Sequence, residues 1–321
     1  ELIEKECAGL IEFIEPRLGL ETVGGNAHIK GELLEIARLI QSGDRTRAPM
    51  GLLAVGPMGA GKTFVIKAFL KEAGLSGVAL KNFRSKWVGS TEANLERVLA
   101  TVKAMGPIAL VIDEGDRSFG RQGDDADGGT GSRVIARLKE FMSDPENRGQ
   151  VLFILMTNRP DKLDTDIKRP GRLDRKIPFF YAESAGERAA VISAVCARYR
   201  VPLEMPDGAL LAACEPLDGY SNADLEALAL LAAEFAERGE RLADGGQLPE
   251  ASGSIAAVTP ALLAQASEDF MPPQETAMVR YMEMLAVAET SRRSLLPQRF
   301  RSLSAAEVQD RLADLRRQIP P

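Results

Sequence analysis

The chain has 321 residues, 45% of them hydrophobic, and its 46 acidic and 40 basic side chains leave a formal net charge of −6. That length buries a large core and fills about two domains, and the acidic balance argues against the basic patch that a nucleic-acid partner requires. Cys7, Cys196 and Cys214 are odd in number and far apart, no apolar run reaches membrane-spanning length and no secretory leader opens the chain, so a disulfide framework and membrane insertion are excluded and a cytoplasmic protein is expected.

In residues 1–21, Leu2, Ile3, Leu10, Ile11, Phe13 and Ile14 stand in an acidic background before Pro16, a pattern read as a leading helix and linker. The first residue is Glu1 and not a methionine, which leaves an upstream segment open. Over 22–180, helical patterns alternate with apolar runs at 51–55, 77–80, 108–112 and 151–156. Such alternation predicts an α/β domain with a parallel sheet between helices. Ala- and Leu-rich helical segments over 181–271, broken by a Gly/Pro/Ser loop at 247–259, predict a small helical domain. The remainder, 272–321, is expected to be a helical extension. It holds one long helix pattern, then Pro297, then Ser304-Ala305-Ala306-Glu307, a capping box opening a last helix. Val308, Leu312, Leu315 and Ile319 share one face of that helix, and the expectation is that this stripe rests on the small domain, the alternative being an exposed docking site.

The most specific segment is Gly56-Pro57-Met58-Gly59-Ala60-Gly61-Lys62-Thr63 between a short apolar strand pattern and a helix pattern beginning at Phe64. Glycines at a strand-to-helix turn let backbone N–H groups point at phosphates, and the helix N-terminus adds positive potential. This is a P-loop, with Lys62 for the β- and γ-phosphates and Thr63 for magnesium. About fifty residues on, the strand pattern 108–112 ends in Asp113-Glu114. Asp113 is placed to hold magnesium through water, and Glu114 to polarise the water that attacks the γ-phosphate. A nucleoside triphosphate, ATP, with Mg²⁺ is therefore the expected ligand. The lone histidine, His28, has no His-Glu-x-x-His pair around it, so the chain carries no zinc protease of that type.

Further segments are Ser85-Lys86-Trp87-Val88-Gly89-Ser90-Thr91-Glu92, Leu155-Met156-Thr157-Asn158, Asp166-Ile167-Lys168-Arg169-Pro170-Gly171-Arg172-Leu173-Asp174 and Gly219-Tyr220-Ser221-Asn222-Ala223-Asp224-Leu225. Together with the P-loop and the acidic pair, they resemble an AAA+ ATPase of the single-ring AAA clade, which includes protein unfoldases, over residues 22–270. The resemblance implies a P-loop parallel sheet flanked by helices, followed by a small all-helical lid domain. It makes Asn158 the residue that orients the attacking water or touches the γ-phosphate, although an Asn before Arg159-Pro160 also suits a simple turn. Arg169 and Arg172 become arginine fingers that reach the γ-phosphate of a neighbouring subunit, so the resemblance implies a homo-oligomeric ring, usually hexameric. Lys86, Trp87 and Val88 become a pore loop gripping a threaded polypeptide, with the segment 116–131 in the place of a second one. Val23 and Gly24 lie where related chains set backbone against adenine, and Phe64, Asn222 and Ala223 complete the same pocket. Ser221 or Asn222 also suits a helix N-cap.

Two residues depart from the family pattern: Asn222 stands where glycine is common, and Gly115 where an apolar residue follows the acidic pair. The clade also lacks the small-domain arginine of other AAA+ groups. The function implied is an ATP-driven ring motor that remodels or unfolds proteins by threading them, served by a protein substrate and possibly an adaptor. The alternative is a nucleotide-gated assembly factor that threads nothing and relies on the tail, whose last 30 residues hold seven arginines and three acids. A DNA-acting relative is disfavoured by the acidic balance.

Overall fold

The computed structural model describes residues 11–80, 92–115, 130–243, 256–272 and 276–319. Lys86, Trp87 and Val88 lie outside the described residues, as do positions 116–129 of the segment assigned to a second pore loop.

Among the described residues the strands are β1 (Ile11–Ile14), β2 (Gly51–Val55), β3 (Ser76–Leu80), β4 (Ile108–Ile112), β5 (Val151–Thr157) and β6 (Arg175–Pro178), and they form one sheet in the order β1-β3-β4-β5-β2-β6. Every pairing is parallel except β1 with β3. The central strands β2, β4 and β5 are buried along their whole length, as continuous apolar runs in a sheet covered on both faces must be. Alternate residues serve opposite faces. Leu53, Val55, Leu110, Ile112, Phe153 and Leu155 join one core with α3 (Glu92–Ala104) and α4 (Thr130–Ser143). Leu52, Ala54, Ala109, Val111, Ile154 and Met156 join the other with α1 (Ala27–Gln41) and α2 (Lys62–Ala73).

A separate apolar core holds α5 (Ala185–Tyr199), α6 (Asp207–Cys214), α7 (Asn222–Ala243) and α8 (Pro260–Asp269) together as a helical lid. The tail follows with α9 (Thr276–Glu289), α10 (Gln298–Arg301) and α11 (Ala305–Gln318).

The structure corrects two expectations and adds a strand. Ile11–Ile14 falls in the stretch read as a leading helix, yet it is an edge strand antiparallel to β3. Its β-branched and aromatic residues fit an alternating pattern as well as a helical one, Ile11 and Phe13 reach one core and Ile14 the other, and pairing with β3 decides between the two. β6 went unforeseen because Arg175 and Lys176 interrupt any apolar run; only its second half is buried. Finally, the stripe on α11 does not rest on the lid. Ser304 and Glu307 do form the capping box, but Val308, Leu312 and Leu315 pack with Met284, Val287 and Phe300 into the core of the large sheet. Glu289 at the end of α9 ties the tail down by pairing with Lys168 and Lys176.

Candidate active site

Strands β4, β5 and β2 are neighbours and parallel, so their C-terminal ends bring Asp113-Glu114, Asn158 and the P-loop to one edge of the sheet. Ligands of open α/β sheets bind at such edges. Val55 is level with Thr157 and Ile112 with Leu155, which sets the three loops at similar height.

Lys62 is the first residue of α2, and its Nζ donates to the carbonyls of Gly56 at 2.9 Å and Pro57 at 2.8 Å and to Asn158 Oδ1 at 2.6 Å. The ammonium and Asn158 are therefore in direct contact across 96 positions of sequence. Thr63 Oγ1 lies 3.4 Å from Asp113 Oδ2, with the hydroxyl as donor. The other carboxylate oxygen of Asp113 accepts the backbone N–H of Glu114 at 2.8 Å. Glu114 has φ of 49°, a left-handed conformation that costs a non-glycine residue energy and is commonest where function requires it. Both carboxylates are exposed at the mouth of the site. Gly115 has its explanation here: a Cβ at that position would lie 2.3 Å from Leu155 Cδ2, so Leu155 occupies the space an apolar side chain would need.

A cavity of about 370 Å³ joins these groups to the lid. Its lining includes Val23, Gly24, Met58, Gly59, Gly61, Lys62, Thr63, Phe64, Asp113, Glu114, Asn158, Asn222 and Ala223. Of the expected nucleotide residues, Pro57 and Ala60 are absent from the lining; their carbonyls instead hold Lys62 and the Asn222 amide. Two glycines let the lid come this close. A Cβ on Gly24 would sit 2.4 Å from the Ala190 carbonyl oxygen in α5, and one on Gly59 would sit 2.7 Å from Ser221 Oγ. Gly59 also has φ of 75°, and its carbonyl accepts the N–H of Ala223 at 3.1 Å.

The capping question at α7 is resolved by a division of labour. Ser221 Oγ accepts the N–H of Asp224 at 3.0 Å while Asp224 Oδ2 accepts the N–H of Ser221 at 2.9 Å, a reciprocal cap. Asn222 is thereby released to face the P-loop. Its Nδ2 donates to the Ala60 carbonyl at 3.1 Å and its Oδ1 accepts from the Ala182 N–H at 3.3 Å.

Arg169 and Arg172 are not among the residues lining this cavity. They sit on the loop before β6, where Arg172 donates to Ser143 Oγ at 2.6 Å and to the Asp166 carbonyl at 2.9 Å and pairs with the Asp166 carboxylate, which the guanidinium holds below the usual carboxylate range. Arg169 is largely exposed and 3.3 Å from the same carboxylate.

Sequence reasoning missed the lid face of the cavity, formed by Val191, Ala194, Val195, Arg198 and Glu226. The spacing of the first four, at i, i+3, i+4 and i+7, is the one signal that marks them as one face of a helix. His28 is a packing residue. Its ring lies 6.1 Å from that of Phe180, and burial pushes its pKa below 6.5. Cys196 and Cys214 are buried, with thiols pushed up to about 11 by desolvation, so neither is an activated nucleophile.

The donor set suits Mg²⁺. Thr63 offers a hydroxyl and Asp113 a carboxylate, hard oxygens of the kind that hold magnesium together with phosphates and water and without an all-protein cage. Consistent with that, no group of three or more His, Cys, Asp or Glu forms a metal cluster among the described residues. Also among the described residues, no helix is long and apolar enough to cross a membrane.

Residues 52–181 match the family model described as AAA, the ATPase family associated with various cellular activities. The Cell division cycle protein 48 homolog of Archaeoglobus fulgidus is 32% identical over 222 residues, spanning 66% of this chain and 30% of that protein. The ATPase family protein 2 homolog of Caenorhabditis elegans is 29% identical over 275 residues, 82% of this chain and 38% of that protein. Peroxisomal ATPase PEX6 of Penicillium chrysogenum is 31% identical over 228 residues, 66% of this chain and 15% of that protein. The chain thus spans well under half the length of these relatives. In fold, it resembles the crystal structure of the FIGL-1 AAA domain with a TM-score of 0.69 and 22% identity, over 88% of this chain and 92% of that one. With the P-loop, acidic pair and helical lid arranged around one cavity, the chain belongs to the AAA+ ATPases.

Proposed function

We propose that this protein is an ATP-hydrolysing AAA+ motor that works as a homo-oligomeric ring, hexameric by family expectation, and remodels or unfolds protein substrates by threading them through its centre. The observation that carries the reading is the meeting of Lys62, Thr63, Asp113, Glu114 and Asn158 in one cavity closed by a separate helical lid, while Arg169 and Arg172 stand outside it. Arginines that do not serve their own cavity are available to serve a neighbour's.

In the proposed reaction the P-loop backbone and Lys62 hold the β- and γ-phosphates. Glu114 takes up the proton of the attacking water, and Asn158, already against Lys62, orients that water at the γ-phosphate. Arg172 and Arg169 of the adjacent subunit offset the charge that develops on the transferred group. Magnesium, held by Thr63 and through water by Asp113, would neutralise phosphate charge. Gly24, Gly59 and Asn222 couple this site to the lid, so loss of the γ-phosphate changes how the lid sits against the sheet. Trp87, flanked by Lys86 and Val88, is the proposed grip on the polypeptide. Domain limits of 22–180, 181–271 and 272–321 and a cytoplasmic location belong to the same proposal, as does an adaptor that delivers substrate.

The test is ATPase rate per subunit against protein concentration, with remodelling of an unstable reporter protein followed in parallel. A rate that climbs steeply with concentration, and a Trp87→Ala variant that keeps hydrolysis but loses remodelling, support the threading motor. If Trp87→Ala changes neither activity, the protein is a nucleotide-gated assembly factor.

A further inference from the structure

Arg198 occupies an unusual place in this cavity. It follows Val191, Ala194 and Val195 on the cavity face of α5, and its guanidinium lies over the ring of Phe64, 4.5 Å from the centroid. Only 15% of its side chain is exposed, its buried Nε and Nη2 find no hydrogen-bond partner among the described residues, and its charge is met by Glu226 Oε1, 2.6 Å from Nη2. The same Glu226 oxygen accepts the Tyr199 hydroxyl at 2.7 Å. Both Arg198 and Glu226 line the nucleotide cavity.

A buried donor without a partner is costly unless a ligand satisfies it. Two ligand groups could do so, a phosphate or the edge of a base. Glu226 decides against the phosphate, because a carboxylate 2.6 Å from the guanidinium cancels its charge and repels an anion. A planar guanidinium stacked on Phe64 instead extends the apolar wall that a base requires, and it sets a donor beside an acceptor. Adenine presents the matching pair, a ring-nitrogen acceptor next to an amino donor, whereas the same edge of guanine presents two acceptors.

We propose that Arg198 and Glu226 form a donor–acceptor pair that reads the edge of adenine and makes the site selective for ATP over GTP. The inference rests on nucleotide binding at this cavity and not on threading.

The experiment is calorimetric titration of the full chain, in a Glu114→Gln background that prevents turnover, with ATP, GTP and inorganic tripolyphosphate. Arg198→Met keeps the apolar stem and removes the fork; Glu226→Ala removes the acceptor from a partly exposed position. Each is expected to weaken ATP binding by about tenfold or more, to leave tripolyphosphate affinity unchanged and to narrow the ATP-to-GTP ratio. An unchanged ratio in both variants overturns the proposal. So does a parallel loss of ATP and tripolyphosphate, which would put the pair on the phosphates. Should Arg198→Met lower the melting temperature, Glu226→Ala alone decides by the same ratio. Failure of the parent protein to bind any of the three ligands would instead refute the nucleotide site itself.

Discussion

Asn222 donates its side-chain amide to the carbonyl of Ala60 at 3.1 Å, and so a residue at the start of the third lid element grips the phosphate loop directly. The same side chain accepts from Ala182 in the connection between sheet and lid. Three parts of the molecule are pinned by one amide, at a position where glycine would make no such contact.

Asn222→Gly should therefore loosen the lid. Each lost bond is worth about 1 kcal/mol, so the melting temperature is expected to fall by several degrees, and a fluorescent ADP analogue should dissociate faster in stopped-flow. Equal melting temperature and equal release rate would show that the two contacts contribute nothing.

Glu114 stands at φ 49° beside Asp113, and it is the proposed acceptor of the attacking water's proton. Glu114→Gln keeps size and backbone but cannot take up a proton. The expected outcome is a kcat lower by roughly 10²–10⁴-fold with ATP affinity preserved, measured by steady-state hydrolysis and by titration. A variant that hydrolyses at the parental rate would remove Glu114 from the chemistry.

Arg172 is held by Asp166 and Ser143 within its own subunit. Under the proposed role as a finger acting in trans, its replacement by alanine should cost about 10³-fold or more in kcat at every protein concentration, while nucleotide affinity stays the same. Asp166→Asn leaves the guanidinium but removes its anchor, and a smaller loss is expected. Mixing Arg172→Ala with Glu114→Gln provides a sharper check: each lacks what the other retains, so mixed rings should recover activity that neither has alone.

His28 packs near Phe180, and burial lowers its pKa from 6.5. Between the folded value and 6.5 the unfolded chain binds more protons than the native protein, so stability rises with pH across that window. The contribution is complete above 6.5 and is lost as pH falls through the folded value. Melting temperatures from pH 5 to 8 should thus fall on the acid side for the parent protein and fall less for His28→Leu. Parallel curves for the two proteins would place the pH dependence elsewhere.

The P-loop and the acidic pair were legible because their signals are local. Glycines at fixed offsets before Lys62-Thr63, and carboxylates closing an apolar strand, express geometry that neighbours in sequence create by themselves. The central strands were legible for the same reason, since burial on both faces demands unbroken apolar runs. Ile11–Ile14 was misread because its four residues fit two periodicities and only the partner strand β3 chooses between them. β6 was hidden by Arg175 and Lys176, which an edge position tolerates. The landing place of α11 was likewise a tertiary outcome: an apolar stripe states that something covers it, and the sheet core rather than the lid supplied the cover. Arg198 and Glu226 gave no motif at all, being an ordinary charged pair on two helices 28 positions apart until the lid folds over Phe64. Sequence alone determined the phosphate-loop motif, which depends on contiguous backbone; the tertiary structure decided which lid residues line the cavity beside it, because that wall is assembled from residues that only long-range packing brings together.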